Sequence, residues 1–244
     1  MSIRKLKKLI SILMSLDKHW YRALLKYRVA PAVEHEHVLA SLNPDLVIDI
    51  GANRGQFALA ALKVLPNANV TCFEPLNSAF AVLSSLFRWN DRVLIHKTAI
   101  GDLDSEIAIN ISNREDSSSL LSIGNLQTET FPGTHSLGTE VVSVSRLSNF
   151  VSQEVLAKTT LLKIDVQGFE LQVLQGAAEL LDKIEFIYVE CSFMELYRDQ
   201  FLASDIISFL FARGFRLNGV HNTSVNKRGI AVQADFLFAN KKLI

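Results

Sequence analysis

The run LVIDIGANRGQF, Leu46 to Phe57, sets a carboxylate, Asp49, near the tip of an apolar stretch and follows it with two glycines four residues apart. Such a run reads as a first strand turning into a first helix, where an open α/β sheet takes its ligand. A dinucleotide loop would read G-x-G-x-x-G, so that amides at the helix start receive a pyrophosphate. Here Asn53 stands where the second glycine would, and an acid precedes the first. A carboxylate at that point suits a ligand carrying ammonium and sulfonium charges better than it suits a phosphate. Gly51 and Gly55, lacking a Cβ, are expected to let the backbone approach that ligand closely.

A second acid strengthens the pattern. Glu74 closes the next apolar run in CFEP, 25 residues after Asp49. An acid at the end of a second strand can accept hydrogen bonds from both hydroxyls of a ribose. A nucleoside with a cationic tail and no phosphate is S-adenosylmethionine, so the two acids in this order favour methyl transfer over nicotinamide chemistry. Two further acids follow apolar runs: Asp165 in LLKIDVQGFE and Glu190 in FIYVECS. Both are expected at the same edge of the sheet as catalytic candidates. Glu170 suits the start of the helix after Asp165, where a carboxylate meets the positive end of the dipole.

These residues need a scaffold, and the chain alternates accordingly after Pro44. Apolar runs predict strands at 46–50, 69–74, 93–98, 160–165, 185–190 and 234–239, and helical periodicity predicts helices at 55–65, 77–88, 169–181 and 202–213. Strand–helix alternation implies an α/β fold, a Rossmann-like, mostly parallel doubly wound sheet. Residues 106–145 interrupt it with two alternating runs, EIAINIS and EVVSVS, around a polar loop, which reads as an antiparallel excursion. The expected organisation is a basic amphipathic helical extension over 1–43 and a catalytic domain over 44–244.

Composition narrows the function. The chain is 49% hydrophobic and 20% charged with a formal net charge of zero, which argues against a nucleic-acid partner. Eight Lys or Arg against Asp17 alone give residues 1–30 a charge of +7, beside an apolar stripe that includes Leu6, Ile10 and Leu13. That segment is expected either to pack as a lid or to lie on an acidic membrane surface. Cys72 and Cys191 fall in apolar runs and read as buried thiols, which fits a cytoplasmic protein, peripheral at the inner membrane if the extension binds there. No apolar run reaches the roughly 18 residues of a membrane span, and the interrupted N-terminus lacks the features of a secretory signal.

With these residues in view, the chain resembles the FkbM family of S-adenosylmethionine-dependent methyltransferases. The resemblance runs from about Val47 to Phe238 and rests on VIDIGANRGQFA, CFEP with Asn77 after it, LLKIDVQGFELQVLQGA, YVECSF, MELY, ARGFRL and VQADFLF. It implies methylation of a hydroxyl, most often of a sugar in a glycan or glycolipid, with a polyketide or other small-molecule hydroxyl as the alternative. It implies cofactor binding by Asp49, Gly51, Asn53, Gly55 and Asn77, with Glu74 as the ribose acid and Asp165 at the junction of cofactor and acceptor. One departure is Leu147-Ser148, where relatives usually have Leu-Asp; a serine can still cap a helix.

In-line transfer to a weakly acidic hydroxyl needs alignment and a base within hydrogen-bond reach. Asp165 and Glu190 are the first candidates, with His135 and His221, both read as loop residues, behind them. His96, inside a predicted strand near the expected adenine edge, reads as structural. No third ligand accompanies Asp165 and Glu190 at a telling spacing, so no metal is expected. A non-catalytic protein that keeps the fold is the rival class, and the intact pairing of Asp49 and Glu74 speaks against it.

Overall fold

The run LVIDI forms a fully buried strand, β1 (Leu46–Ile50), because it is covered on both faces. The computed structural model describes residues 18–157 and 159–244. Before β1 come α1 (Lys18–Arg22), continued by a wider turn to Tyr27, and α2 (Glu36–Leu42). After it follow α3 (Gln56–Val64), β2 (Asn69–Phe73), α4 (Asn77–Phe87), β3 (Val93–His96), β4 (Ala99–Ile100), β5 (Ser105–Ser112), α5 (Asn125–Thr130) and β6 (Ser136–Ser145). The chain then runs through β7 (Thr160–Ile164), α6 (Glu170–Gly176), β8 (Phe186–Ser192), α7 (Ala203–Phe211), β9 (Phe215–Val225) and β10 (Ala231–Asn240).

Among the described residues the main sheet has the order β3-β2-β1-β7-β8-β10-β9. The first five strands in that order pair in parallel, and β10 pairs antiparallel with both β8 and β9. The expected doubly wound α/β sheet is therefore present, with an antiparallel hairpin at one edge. One face packs with α6 and α7, through Leu171, Val173, Leu174, Ile206 and Leu210. The other packs with α3 through Phe57, Ala58 and Ala61. The order reverses between β1 and β7, and in such sheets the crevice beyond the strand ends at that point takes the ligand.

Two expectations change. Residues 215–225, assigned to no strand from sequence, form β9, because an edge strand open to solvent on one side carries too few apolar residues for a clear alternation. His221 is consequently a strand residue and not a loop residue. The antiparallel excursion expected over 106–145 is present, as a second sheet, β4-β6-β5, in which β5 and β6 pair antiparallel.

The described part of the N-terminal extension shares the core of the sheet. Trp20 is 1% exposed, and its indole nitrogen donates to Leu59 O at 3.2 Å. Ala23, Val29, Val38 and Leu39 lie in the same apolar cluster as Val47 and Phe57. Asn43 ends α2 in the left-handed conformation with its N–H on Leu39 O, just before Pro44. Arg4, Lys5, Lys7, Lys8, Leu6, Ile10 and Leu13 of the basic stripe lie outside the described residues.

Candidate active site

The turn from β1 to α3 is shaped by its glycines in a way their spacing alone does not reveal. Gly51 has φ +80°, and a Cβ on it would stand 1.9 Å from Asp165 O. Gly51 therefore lets the loop lie against the end of β7. Gly55 has φ +91°, and a Cβ there would strike Leu83 and Phe87 of α4. In both cases the close approach expected toward a ligand is an approach to the protein's own backbone or core. The loop's amides are fixed in turn: Gly51 N and Ala52 N both donate to Phe73 O.

Glu74, just past β2, is 5% exposed and reaches across to this loop. Its Oε2 accepts from Asn53 N at 2.8 Å and its Oε1 from Leu76 N at 2.9 Å. Burial pushes its carboxyl up to about 7, against the pull of those two amides. A carboxylate oxygen has room for a second hydrogen bond, so both can still receive the hydroxyls of a ribose. Arg54, next in the loop, clasps Glu115 of the excursion at 2.7 Å, and Ser78 of α4 bonds the same carboxylate.

Asp49 lies beneath the loop, fully buried, with Oδ1 3.0 Å from Lys163 Nζ. Burial raises its carboxyl, and the Lys163 ammonium opposes that rise. Lys163 also donates to Gly51 O at 3.3 Å and stands 3.7 Å from Asp165 Oδ2. Asp49 is thus the counter-charge of a buried lysine rather than a group facing a ligand.

A cavity of about 300 Å³ opens above these residues. Gly51, Asn53, Glu74, Lys163, Asp165 and Gln167 line it, whereas Asp49, Gly55, Asn77 and Glu190 do not. Asn77 instead ties the start of α4 to β6: its backbone N–H donates to Glu140, and its side chain bonds Glu140 and Lys97. Asp165 presents its carboxylate to the cavity, with Oδ1 accepting from Gln167 Nε2 at 2.7 Å. The same amide nitrogen donates to Glu190 Oε2 at 2.9 Å, so Gln167 spans the two expected catalytic acids. Gln167 holds φ +58°, and Tyr197 Oη lies 2.9 Å from its Oε1. Burial first, then the charges of Asp165, Asp235 and Glu170, push the Glu190 carboxyl well above the usual carboxylate range.

Lys163, Gln167 and Tyr188 are functional candidates that the sequence reading passed over. Strand alternation carries the signal for two of them, since Lys163 shares a face with Asp165 and Tyr188 with Glu190. The three histidines sort differently. His96 stacks on Phe73 with ring centroids 5.0 Å apart and packs on Phe150, and burial lowers its pKa, as suits a structural residue. His135 is exposed at the entry to β6. His221 packs edge-on to Tyr188, and burial lowers its pKa too. Among the described residues no group of three or more His, Cys, Asp or Glu is arranged to hold a metal ion.

Comparison with known proteins bears on what this cavity serves. A family model described as the methyltransferase FkbM domain matches residues 49–217. The chain belongs to that family. It is a methyltransferase, and its methyl donor is S-adenosylmethionine. The FkbM match begins at Asp49 and takes in Glu74, Asp165 and Glu190. The chain is 32% identical over 185 residues to the 2-O-methyltransferase NoeI of Sinorhizobium fredii, covering 72% of this chain and 76% of that protein. It is 28% identical over 157 residues to Methyltransferase 1 of Beauveria bassiana, covering 59% and 63%. Among solved structures, a magnesium protoporphyrin IX methyltransferase of Synechocystis with bound S-adenosylmethionine aligns at a TM-score of 0.47 and 12% identity, covering 99% of this chain and 98% of that one.

Proposed function

We propose that this methyltransferase modifies a hydroxyl oxygen of a sugar in a glycan or glycolipid, with Glu74 on the cofactor ribose and Asp165 as the base for the acceptor. The observation that carries this reading is the placing of both carboxylates on one cavity, beside the loop from Gly51 to Asn53. The relative named a 2-O-methyltransferase, at 32% identity, supports oxygen as the atom methylated. S-adenosylmethionine supplies the electrophilic methyl. The chain's own task is to align the hydroxyl with it, and holding reactants in such a geometry is worth about 7–11 kcal/mol of a barrier. Asp165 accepts the hydroxyl proton as the oxygen becomes nucleophilic. Glu190, whose carboxyl burial and acidic neighbours push toward its proton-bearing form, acts as the partner that Gln167 holds against Asp165. Gly51 and Asn53 line the cofactor's side of the cavity, while Asp49, Gly55 and Asn77 fix the loop and α4 around it.

The test is transfer of radiolabel from methyl-labelled S-adenosylmethionine, by the purified protein, into a glycolipid and surface-glycan extract from a strain lacking the gene. Label recovered in an O-methyl sugar supports the reading; label found only in small lipid-free metabolites turns it toward the polyketide or small-molecule alternative.

The cofactor assignment gives a pH dependence whose sign can be worked out. Ribose hydroxyls are donors, so they need the ionised form of Glu74. With that carboxyl near 7, a falling pH protonates it, and affinity for S-adenosylhomocysteine should fall by up to about tenfold per unit below pH 7. Glu74→Gln should weaken binding by about tenfold at pH 8, because a charge-assisted bond becomes a neutral one. It should also flatten the dependence. Calorimetry at pH 6 and pH 8 measures both, and an unchanged pH slope in the variant would assign the slope to another group.

Residues 1–30 support a location beside a lipid-linked acceptor. No helix among the described residues is long and apolar enough to cross a membrane. Leu25 is 80% exposed, in a segment that also carries exposed Lys18, Arg22 and Lys26. Each basic residue near an anionic bilayer contributes about 1 kcal/mol, screened by salt. Flotation with phosphatidylserine vesicles should therefore retain the protein at low salt and release it at high salt. Absence of retention at low salt would leave the segment a packing element only.

A further inference from the structure

The fold gathers His35 with Asn222 of β9 and Asp235 of β10, and of the three His35 lines the cavity. His35 sits in the short turn before α2 and lines the cavity together with Phe57. Its Nδ1 is 3.1 Å from Tyr188 Oη and 3.7 Å from Asp235 Oδ2. Tyr188 Oη donates to Asp235 Oδ2 at 3.2 Å, and Asn222 Nδ2 donates to the same oxygen at 2.8 Å. The ring of His35 meets Phe57 and Tyr188 edge-on, with centroids 5.2 and 5.5 Å away.

The backbone under this cluster is irregular. Asn222 has φ +47°, and the register of β9 against β10 shifts between Gln233 and Asp235. Bulges of this kind re-aim a side chain and recur beside active sites, and a left-handed residue other than glycine persists where its surroundings over-determine it. One oxygen of each polar side chain stays available: among the described residues, neither Asn222 Oδ1 nor Asp235 Oδ1 accepts a hydrogen bond. Asp235, pushed up to about 6 chiefly by burial, is still a carboxylate at neutral pH.

Two such acceptors with an adjoining amide suit neighbouring hydroxyls, and an aromatic wall suits the C–H face of a sugar ring. We propose that His35, Phe57, Asn222 and Asp235 form the acceptor subsite, that it takes a pyranose through hydroxyls held by Asn222 and Asp235, and that His35 and Phe57 bear on the ring's apolar face. This rests on the sugar reading given above and adds where the sugar is recognised.

The experiment uses the full chain, methyl-labelled S-adenosylmethionine and the glycolipid and glycan extract of the deletion strain as acceptor. Asn222→Gly keeps a residue at ease with positive φ while removing the amide, and Asp235→Asn keeps the shape while removing the charge. Each should raise the apparent KM for the extract about tenfold or more. The KM for S-adenosylmethionine and the thermal shift given by S-adenosylhomocysteine should stay within twofold of wild type. Should the glycine variant fail to fold, Asp235→Ala removes the second acceptor outright and should show the same split. Wild-type acceptor KM in folded variants at both positions overturns the subsite. Failure of the wild-type protein to label any sugar in the extract overturns the sugar reading itself, a result told apart by its appearing before any substitution.

Discussion

Asp165→Asn is expected to lower turnover by about a hundredfold or more, the scale of a lost general base. Affinity for S-adenosylhomocysteine should stay within a few-fold. The substitution preserves the outline of the side chain but removes the charge that meets the acceptor proton. It also sets an amide against Gln167 Nε2, which now donates to Asp165 Oδ1 at 2.7 Å. Single-turnover transfer into the extract, with calorimetry for the cofactor product, separates chemistry from binding. Near-normal turnover would move the base to Glu190, despite the burial and like charges that favour its proton-bearing form.

Lys163→Met should destabilise the fold by about 3–5 kcal/mol, the cost of removing one partner from a buried ion pair. Asp49 is 0% exposed, and Lys163 Nζ at 3.0 Å is the cation opposite its carboxylate. The sheet sets this pairing, because Asp49 and Lys163 are cross-strand partners in the β1–β7 register. The double change Asp49→Asn with Lys163→Met removes both charges and should recover most of the loss. Urea unfolding of the two variants gives the comparison. A single variant as stable as the double one would show that Asp49 does not depend on Lys163 for its burial.

Much of the scaffold was legible from apolar runs bounded by turn residues. Predicted strand 46–50 coincides with β1, and predicted helix 77–88 differs from α4 by one residue. Asp165 and Glu74 were legible as cavity residues because an acid ending a buried strand has few other uses. Asp49 looked the same in sequence and proved different, since one more residue of strand, Ile50, separates it from the loop and turns it under the floor. The glycines were found for a sound reason, the absence of a Cβ, but what approaches them is Asp165 O in one case and Phe87 in the other. His35 and Asn222 were out of reach, because they meet across 187 positions through a register irregularity that no local pattern announces.

Trp20 sets where the protein can be cut. The indole is bonded to Leu59 of α3, and Val38 and Leu39 lie in the same core as the first strand. The FkbM family model spans residues 49–217. The unit that folds is longer than that span: a chain cut to residues 49–217 would bare the wall of α3 and lose β10 from the sheet.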